Sequence, residues 1–162
     1  MAGVLITELL DAVRSVQGSY NKLVIVAGPS GSGKTRLLNR LAEQLNMPVI
    51  NLSLKMSERL LPLTKRQRRL KVEEIARDVI DEQNQSGVCV DNTELLFDST
   101  LRLNPLVFLQ DISRNRLILS TWNGAYDGNV LTFGYGGHPD FFRQAPSGYP
   151  VFSISDNQVE GV

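Results

Sequence analysis

A single cysteine, Cys89, leaves no partner for an intrachain disulfide, which excludes the small secreted scaffolds held by such bonds and fits a reducing compartment. Histidine is as scarce. His138 stands alone in Gly136-Gly137-His138-Pro139, so neither a histidine metal cluster nor a nucleophile-histidine-acid constellation can be assembled. An excess of one charge is missing too: 17 basic residues balance 17 acidic ones. No net field draws the whole molecule to nucleic acid or an anionic membrane, and any such contact has to come from a local patch. No apolar run approaches the roughly 20 residues that span a bilayer. Residues 1–20 contain acids and carry neither a long apolar core nor a cleavage pattern, so no signal peptide is expected. These absences describe a soluble cytoplasmic protein, and 162 residues suit one domain with one core.

What is present is alternation. Leu5, Leu9, Val13 and Val16 lie at helical spacing over 4–17, ahead of Gly18. Lys22 to Ala27 is a short apolar run rich in β-branched residues, the pattern of a buried parallel strand. Leu37, Leu38, Leu41 and Leu45 give a helix over 35–45 that stops before Pro48. Val49 to Leu54 predicts a second strand. Thr64-Lys65-Arg66-Gln67 fits a capping box opening a long helix, with Val72, Ile75, Ala76 and Val79 as its buried stripe. Val88-Cys89-Val90 forms a strand running into Asp91, Asn104-Pro105 opens a helix, and Leu117-Ile118-Leu119 begins a fourth strand. Beyond Trp122 the turn dipeptides Asn123-Gly124 and Asp127-Gly128 precede a strand at 130–133, and 149–154 predicts a last one. The fold class is α/β, a layered and mostly parallel sheet. The division expected is an N-terminal helix over 1–20, a core over 21–155 and a polar tail over 156–162.

Gly28-Pro29-Ser30-Gly31-Ser32-Gly33-Lys34-Thr35 satisfies the phosphate-loop pattern G-x-x-x-x-G-K-[ST], with a strand before it and a helix after. Glycines let the backbone wrap an anion and turn its amides inward, while the helix start directs its positive end at the same place. Lys34 is expected to reach the phosphates and Thr35 to ligate Mg²⁺; Arg36, next on the helix, joins the loop as a binding candidate. The ligand expected is ATP with Mg²⁺, since no base-reading Asn-Lys-x-Asp string for GTP occurs.

Such loops need a carboxylate at the end of another strand to hold the water shell of the metal, and Asp91 is the candidate. The next residue is Asn92, which can position a water but cannot take its proton. Glu94, three residues beyond Asp91, is the candidate base. Ser120, Thr121 and Asn123 follow the fourth strand's apolar start, so Thr121 and Asn123 are expected at the ligand edge, near the γ-phosphate. Trp122 reads as a core or shelf residue. Lys65, Arg66, Arg68, Arg69 and Lys71 crowd one helix start: a solvated face, with Arg77 paired to Glu73 and Asp81, or a docking surface for DNA or an acidic partner. An arginine supplied in trans is expected at Arg102 or, preferably, Arg143, whereas Arg114 and Arg116 precede the fourth strand and belong at the far edge.

With these residues placed, the chain resembles the small P-loop ATPases of bacterial BREX phage-exclusion systems, the BrxF type. The resemblance rests on Gly28–Thr35, on Val90-Asp91-Asn92-Thr93-Glu94-Leu95-Leu96-Phe97, on Leu106 to Gly124 with Ser113-Arg114-Asn115-Arg116 inside it, and on Gly137-His138-Pro139. It implies an AAA-like core without the helical lid of larger relatives, self-assembling as a homo-oligomer and working with other BREX proteins against phage DNA. Three functions stay open at this point. They are an ATPase switch or assembly subunit, a small-molecule or nucleotide kinase (the loop also looks like that of guanylate kinases), and a nucleotide-binding scaffold that does not hydrolyse.

Overall fold

The computed structural model of the chain describes residues 2–154, with side chains from Leu5 onward; the tail expected at 156–162 lies outside the described residues. Helix α1 (Ala2–Val16) leads into β1 (Leu23–Gly28), every residue of which is buried, as a strand covered on both faces requires. Helix α2 (Lys34–Leu45) follows and ends at Asn46, whose left-handed backbone (φ 54°) returns its amide to the carbonyls of Ala42 and Glu43.

Strand β2 is shorter than the sequence pattern implies. It covers Val49–Asn51 alone, and 52–54 form the first turn of helix α3 (Leu52–Leu60). The Asn51 side chain accepts from the Leu54 amide and so caps α3, which buries Leu52, Met56 and Leu60 at intervals of four. Helix α4 (Lys65–Asp81) starts at the capping box of Thr64 and Gln67, both halves of which form. Its buried stripe is Val72, Ala76, Val79 and Ile80, with Ile75 only half-buried. Arg77 pairs with Glu73 and Asp111; Asp81, its expected second partner, takes Arg116 instead.

Strand β3 (Gly87–Asp91), a 3₁₀ turn (Glu94–Phe97), helix α5 (Pro105–Ile112) and strand β4 (Leu117–Asn123) complete the alternating part. Four short strands follow: β5 (Ala125–Tyr126), β6 (Leu131–Phe133), β7 (Phe142–Gln144) and β8 (Val151–Ser153). The main sheet has the order β2-β3-β4-β1-β8 and every pairing in it is parallel. Strands β5, β6 and β7 form a separate antiparallel sheet. The sequence had suggested only its middle strand.

Strand alternation sorts the sheet's side chains into two cores. Val24, Val26, Cys89, Leu117 and Leu119 pack with α1 and α2. Leu23, Ile25, Ile50, Val88, Val90, Ile118 and Trp122 pack with α3, α4, α5 and β6 on the opposite face. The result is three layers.

An aromatic hub fastens the small sheet to the large one. Phe97 meets Trp122 edge-on at 4.8 Å and stacks on Phe133 at 3.9 Å, and the Trp122 indole donates to the Thr132 carbonyl at 2.9 Å. Gly124 sits where the two sheets join. A Cβ there would lie 2.0 Å from the Thr132 carbonyl oxygen and 3.0 Å from the indole nitrogen. Gly124→Ala is therefore expected to destabilise the fold by about 2 kcal/mol or more, because a backbone oxygen has to move. Urea unfolding followed by the fluorescence of the single tryptophan measures this, and an unchanged midpoint would show that the junction adapts freely.

Candidate nucleotide site

Three glycines shape the loop for two different reasons. Gly31 and Gly33 take left-handed backbone (φ 81° and 93°), which side chains disfavour. Gly28 is required by space instead: a Cβ there would meet the Ser32 hydroxyl at 2.7 Å and the Ile154 carbonyl at 2.9 Å. The loop closes on itself through the Ser32 amide, which donates to the Pro29 carbonyl at 3.1 Å. Pro29, Ser30 and Gly31 are exposed, whereas the Ser32 hydroxyl is buried with no partner among the described residues. Gly33 caps α2 without a side-chain bond, and no acid occupies the first turn. Among the described residues nothing accepts from the amides of Gly31, Gly33, Lys34 or Thr35. A helix start left this way carries positive partial charge toward an open surface.

Lys34 is buried at that helix start. Its ammonium donates to the Pro29 carbonyl at 2.8 Å and to Asn123 Oδ1 at 3.1 Å. Burial pushes its pKa below the ordinary lysine value, against the upward pull of Asp91 and Glu94. Thr35 Oγ1 donates to Asp91 Oδ2 at 2.8 Å. The other carboxylate oxygen accepts from Thr121 Oγ1 at 2.8 Å and from the Asn92 amide at 2.9 Å.

Strand order and parity bring these groups together. Because β4 lies between β1 and β3, its tip sits between the loop and Asp91. Asp91, Thr121 and Asn123 share parity with Cys89 and Leu119, which face α2. Ser120 points to the other face, where its hydroxyl donates to the Thr121 carbonyl. Thr121 and Asn123 thus outrank Ser120 by pleat direction, which the uniformly apolar Leu117-Ile118-Leu119 does not reveal.

The remaining candidates are placed as follows. Asn92 turns the chain with left-handed backbone (φ 54°), and Glu94, half-buried, opens the 3₁₀ turn with its charge acting on Lys34. Arg36 is exposed on the first turn of α2. Arg143 lies outside the cluster, exposed on β7, where its charge bears on Asp127. Arg102 is exposed, with φ 56°, beside a cavity of about 150 Å³ that Asp98, Asp140 and Phe141 also line. Lys65, Arg66 and Arg69 are exposed at the start of α4, but Arg68 donates to the carbonyls of Leu60 and Leu61 and so ties α4 to α3. Ser53, which no motif pointed to, binds the Asn92 carbonyl; it was missed because α3 itself was missed.

Among solved structures the chain is similar to C. elegans PCH-2 over 95% of its own length and 42% of that chain, at 17% identity and a TM-score of 0.52. The fold is an AAA-like P-loop sandwich. A DNA replication initiation factor aligns over 96% of this chain and 46% of its own, at 16% identity and a TM-score of 0.41. The chain spans less than half the length of either structure. No protein-family model and no curated protein matches it significantly.

Within this AAA-like sandwich no described helix is long and apolar enough to cross a membrane. No group of three or more His, Cys, Asp or Glu side chains that would hold a metal ion occurs among the described residues. The donor set at the loop is one carboxylate and one hydroxyl, Asp91 and Thr35, beside a lysine and open amides. That set fits a hard cation shared with phosphate oxygens rather than a closed protein cage.

The lowered pKa of Lys34 fixes the sign of a pH effect. Between its folded pKa and the ordinary lysine value the unfolded chain binds more protons than the folded one, so stability rises with pH there. Wild type is expected to gain stability relative to Lys34→Met as pH climbs from neutral toward 10.5. Parallel chemical denaturation of the two proteins reads the difference, and a gap independent of pH would exclude the lysine charge as its cause.

Proposed function

We propose that this chain is a cytoplasmic, Mg²⁺-dependent ATP-binding subunit that hydrolyses ATP and serves as a switch in a self-assembling complex. The observation that carries the reading is the convergence of Lys34, Thr35, Asp91 and Asn123 beside the amides of Gly31, Gly33, Lys34 and Thr35, which have no acceptor among the described residues. Bound Mg²⁺ supplies charge neutralisation at phosphate oxygens. The residues do the rest. The amides of Gly31, Gly33, Lys34 and Thr35 cradle the phosphates, and Lys34 exchanges Pro29 and Asn123 for a phosphate oxygen. Thr35 and Asp91, the latter held by Thr121 and the Asn92 amide, are the residues that would hold the Mg²⁺ beside the phosphates. Asn123 then reads the γ-phosphate, Arg36 flanks the loop, and Glu94 takes the proton of the attacking water, a task Asn92 cannot perform.

The setting we assign is bacterial phage defence of the BREX type. Its support is the strings Val90–Phe97, Leu106–Gly124 and Gly137-His138-Pro139 that accompany the P-loop. Lys65, Arg66 and Arg69 are the surface we assign to DNA; Arg68 orients that helix start rather than contacting DNA itself.

Mg·ATP at 100 times its dissociation constant is expected to add about 2.7 kcal/mol, a rise of several degrees in melting temperature. Lys34→Ala should abolish most of that rise, and Asp91→Ala should abolish the part that depends on Mg²⁺. An undiminished rise in Lys34→Ala would remove the lysine from phosphate binding and this reading with it.

Turnover per subunit is expected to climb with protein concentration, because Arg143 completes a neighbour's site; such a cation contributes about 10³–10⁵ in rate. Mixing Arg143→Ala with Lys34→Ala chains should restore part of the activity each lacks alone. Concentration-independent turnover by a proven monomer rules out the trans contribution while leaving ATP binding intact.

A further inference from the structure

The turn after β3 is held from two sides. On one side Thr93, fully buried, donates its hydroxyl to the Thr121 carbonyl at 3.2 Å. On the other, Ser53 makes three hydrogen bonds. Its amide donates to the Asn92 carbonyl at 2.9 Å, its hydroxyl donates to the same oxygen at 2.5 Å, and that hydroxyl accepts from the Leu95 amide at 3.0 Å. One small side chain therefore bridges the two residues that bracket Thr93-Glu94. Asn92 has left-handed backbone, which asparagine tolerates, and the bridge fixes the turn in that conformation. Ser53 is itself rigidly placed: it sits in the first turn of α3, whose Leu52, Met56 and Leu60 are locked in the core.

We infer that Ser53 is a positioning residue for Glu94, setting through the Asn92–Leu95 backbone where that carboxylate stands relative to Lys34 and the phosphate loop. The inference rests on the reading of Glu94 as the base, and it adds a dependence of catalysis on α3 that the P-loop and the Asp91 strand do not contain. Alanine at 53 removes both hydroxyl bonds and leaves the amide bond that anchors α3, so helix and turn separate in function. Threonine at 53 keeps the hydroxyl.

The test compares wild type, Ser53→Ala, Ser53→Thr, Glu94→Gln and the double variant Ser53→Ala/Glu94→Gln. Exchange of the Leu95 amide in the nucleotide-free protein should speed about fivefold or more in Ser53→Ala and remain near wild type in Ser53→Thr. Single-turnover hydrolysis at saturating Mg·ATP should fall by about 10-fold to 10²-fold in Ser53→Ala, with Mg·ATP affinity within about twofold and with recovery in Ser53→Thr. The decisive arm is the double variant: in the Glu94→Gln background Ser53→Ala should slow hydrolysis no further. An equal slowing in both backgrounds, wild-type hydrolysis by Ser53→Ala, or unaltered Leu95 exchange overturns the positioning role while leaving Glu94 as base. Glu94→Gln hydrolysing like wild type, or a wild type that turns over no ATP, overturns the reading of Glu94 and this inference together.

Discussion

Asp91 is the junction on which the site depends. One oxygen of its carboxylate accepts from Thr35 on the phosphate-loop helix, and the other accepts from Thr121 on β4 and from the Asn92 amide that begins the next turn. Three separately folded pieces of chain thereby share one acceptor group. A carboxylate bonded on both oxygens has little rotational freedom, so it defines a fixed direction for negative charge beside the loop. Removing it would leave the buried Thr121 hydroxyl and the Thr35 hydroxyl without their shared acceptor, which is why the geometry of the loop cannot be understood from the loop alone.

The loop itself gathers groups of one polarity. Its free amides, its uncapped helix start and its buried ammonium carry charge of one sign, and such an arrangement is costly without a counter-charge. Lys34 meets that cost locally by donating to Pro29 and Asn123, two neutral acceptors. The same contacts hold the side chain in place at the helix start.

The opposite face of the sheet serves precision rather than chemistry. Trp122 lies one residue from both Thr121 and Asn123 on β4, and alternation sends it into the aromatic hub of Phe97, Phe133 and Phe142. Phe97 closes the 3₁₀ turn that Glu94 opens. The hub therefore clamps the ends of both segments that carry polar site residues, and the small antiparallel sheet, through the Thr132 carbonyl, is part of the clamp.

What the sequence determined by itself is local. The phosphate loop is eight contiguous residues whose glycines answer to backbone conformation and close packing, and the strand before it and helix after it have unmistakable periods. The Thr64–Gln67 capping box and the Asn104-Pro105 start are equally local, and they form as read. Asp91, Thr121 and Asn123 were legible as residues at strand ends, though not as neighbours. Tertiary structure decided the rest. Thr35 and Asp91 are 56 positions apart, and Thr121 and Asp91 are 30 apart; only the insertion of β4 between β1 and β3 makes them touch. Strands β5 and β7 of the small sheet are two or three residues long, too short for a period to show, whereas the middle strand was legible at 130–133. Helix α3 was read as the end of a strand because Val49 to Leu54 is apolar enough for either. Asn51 settles the choice by turning its side chain back to cap the helix, and that places Ser53 against the turn carrying Glu94. Short-range bonds follow from order along the chain, whereas contacts across the sheet depend on which strands become neighbours, and no single segment encodes that.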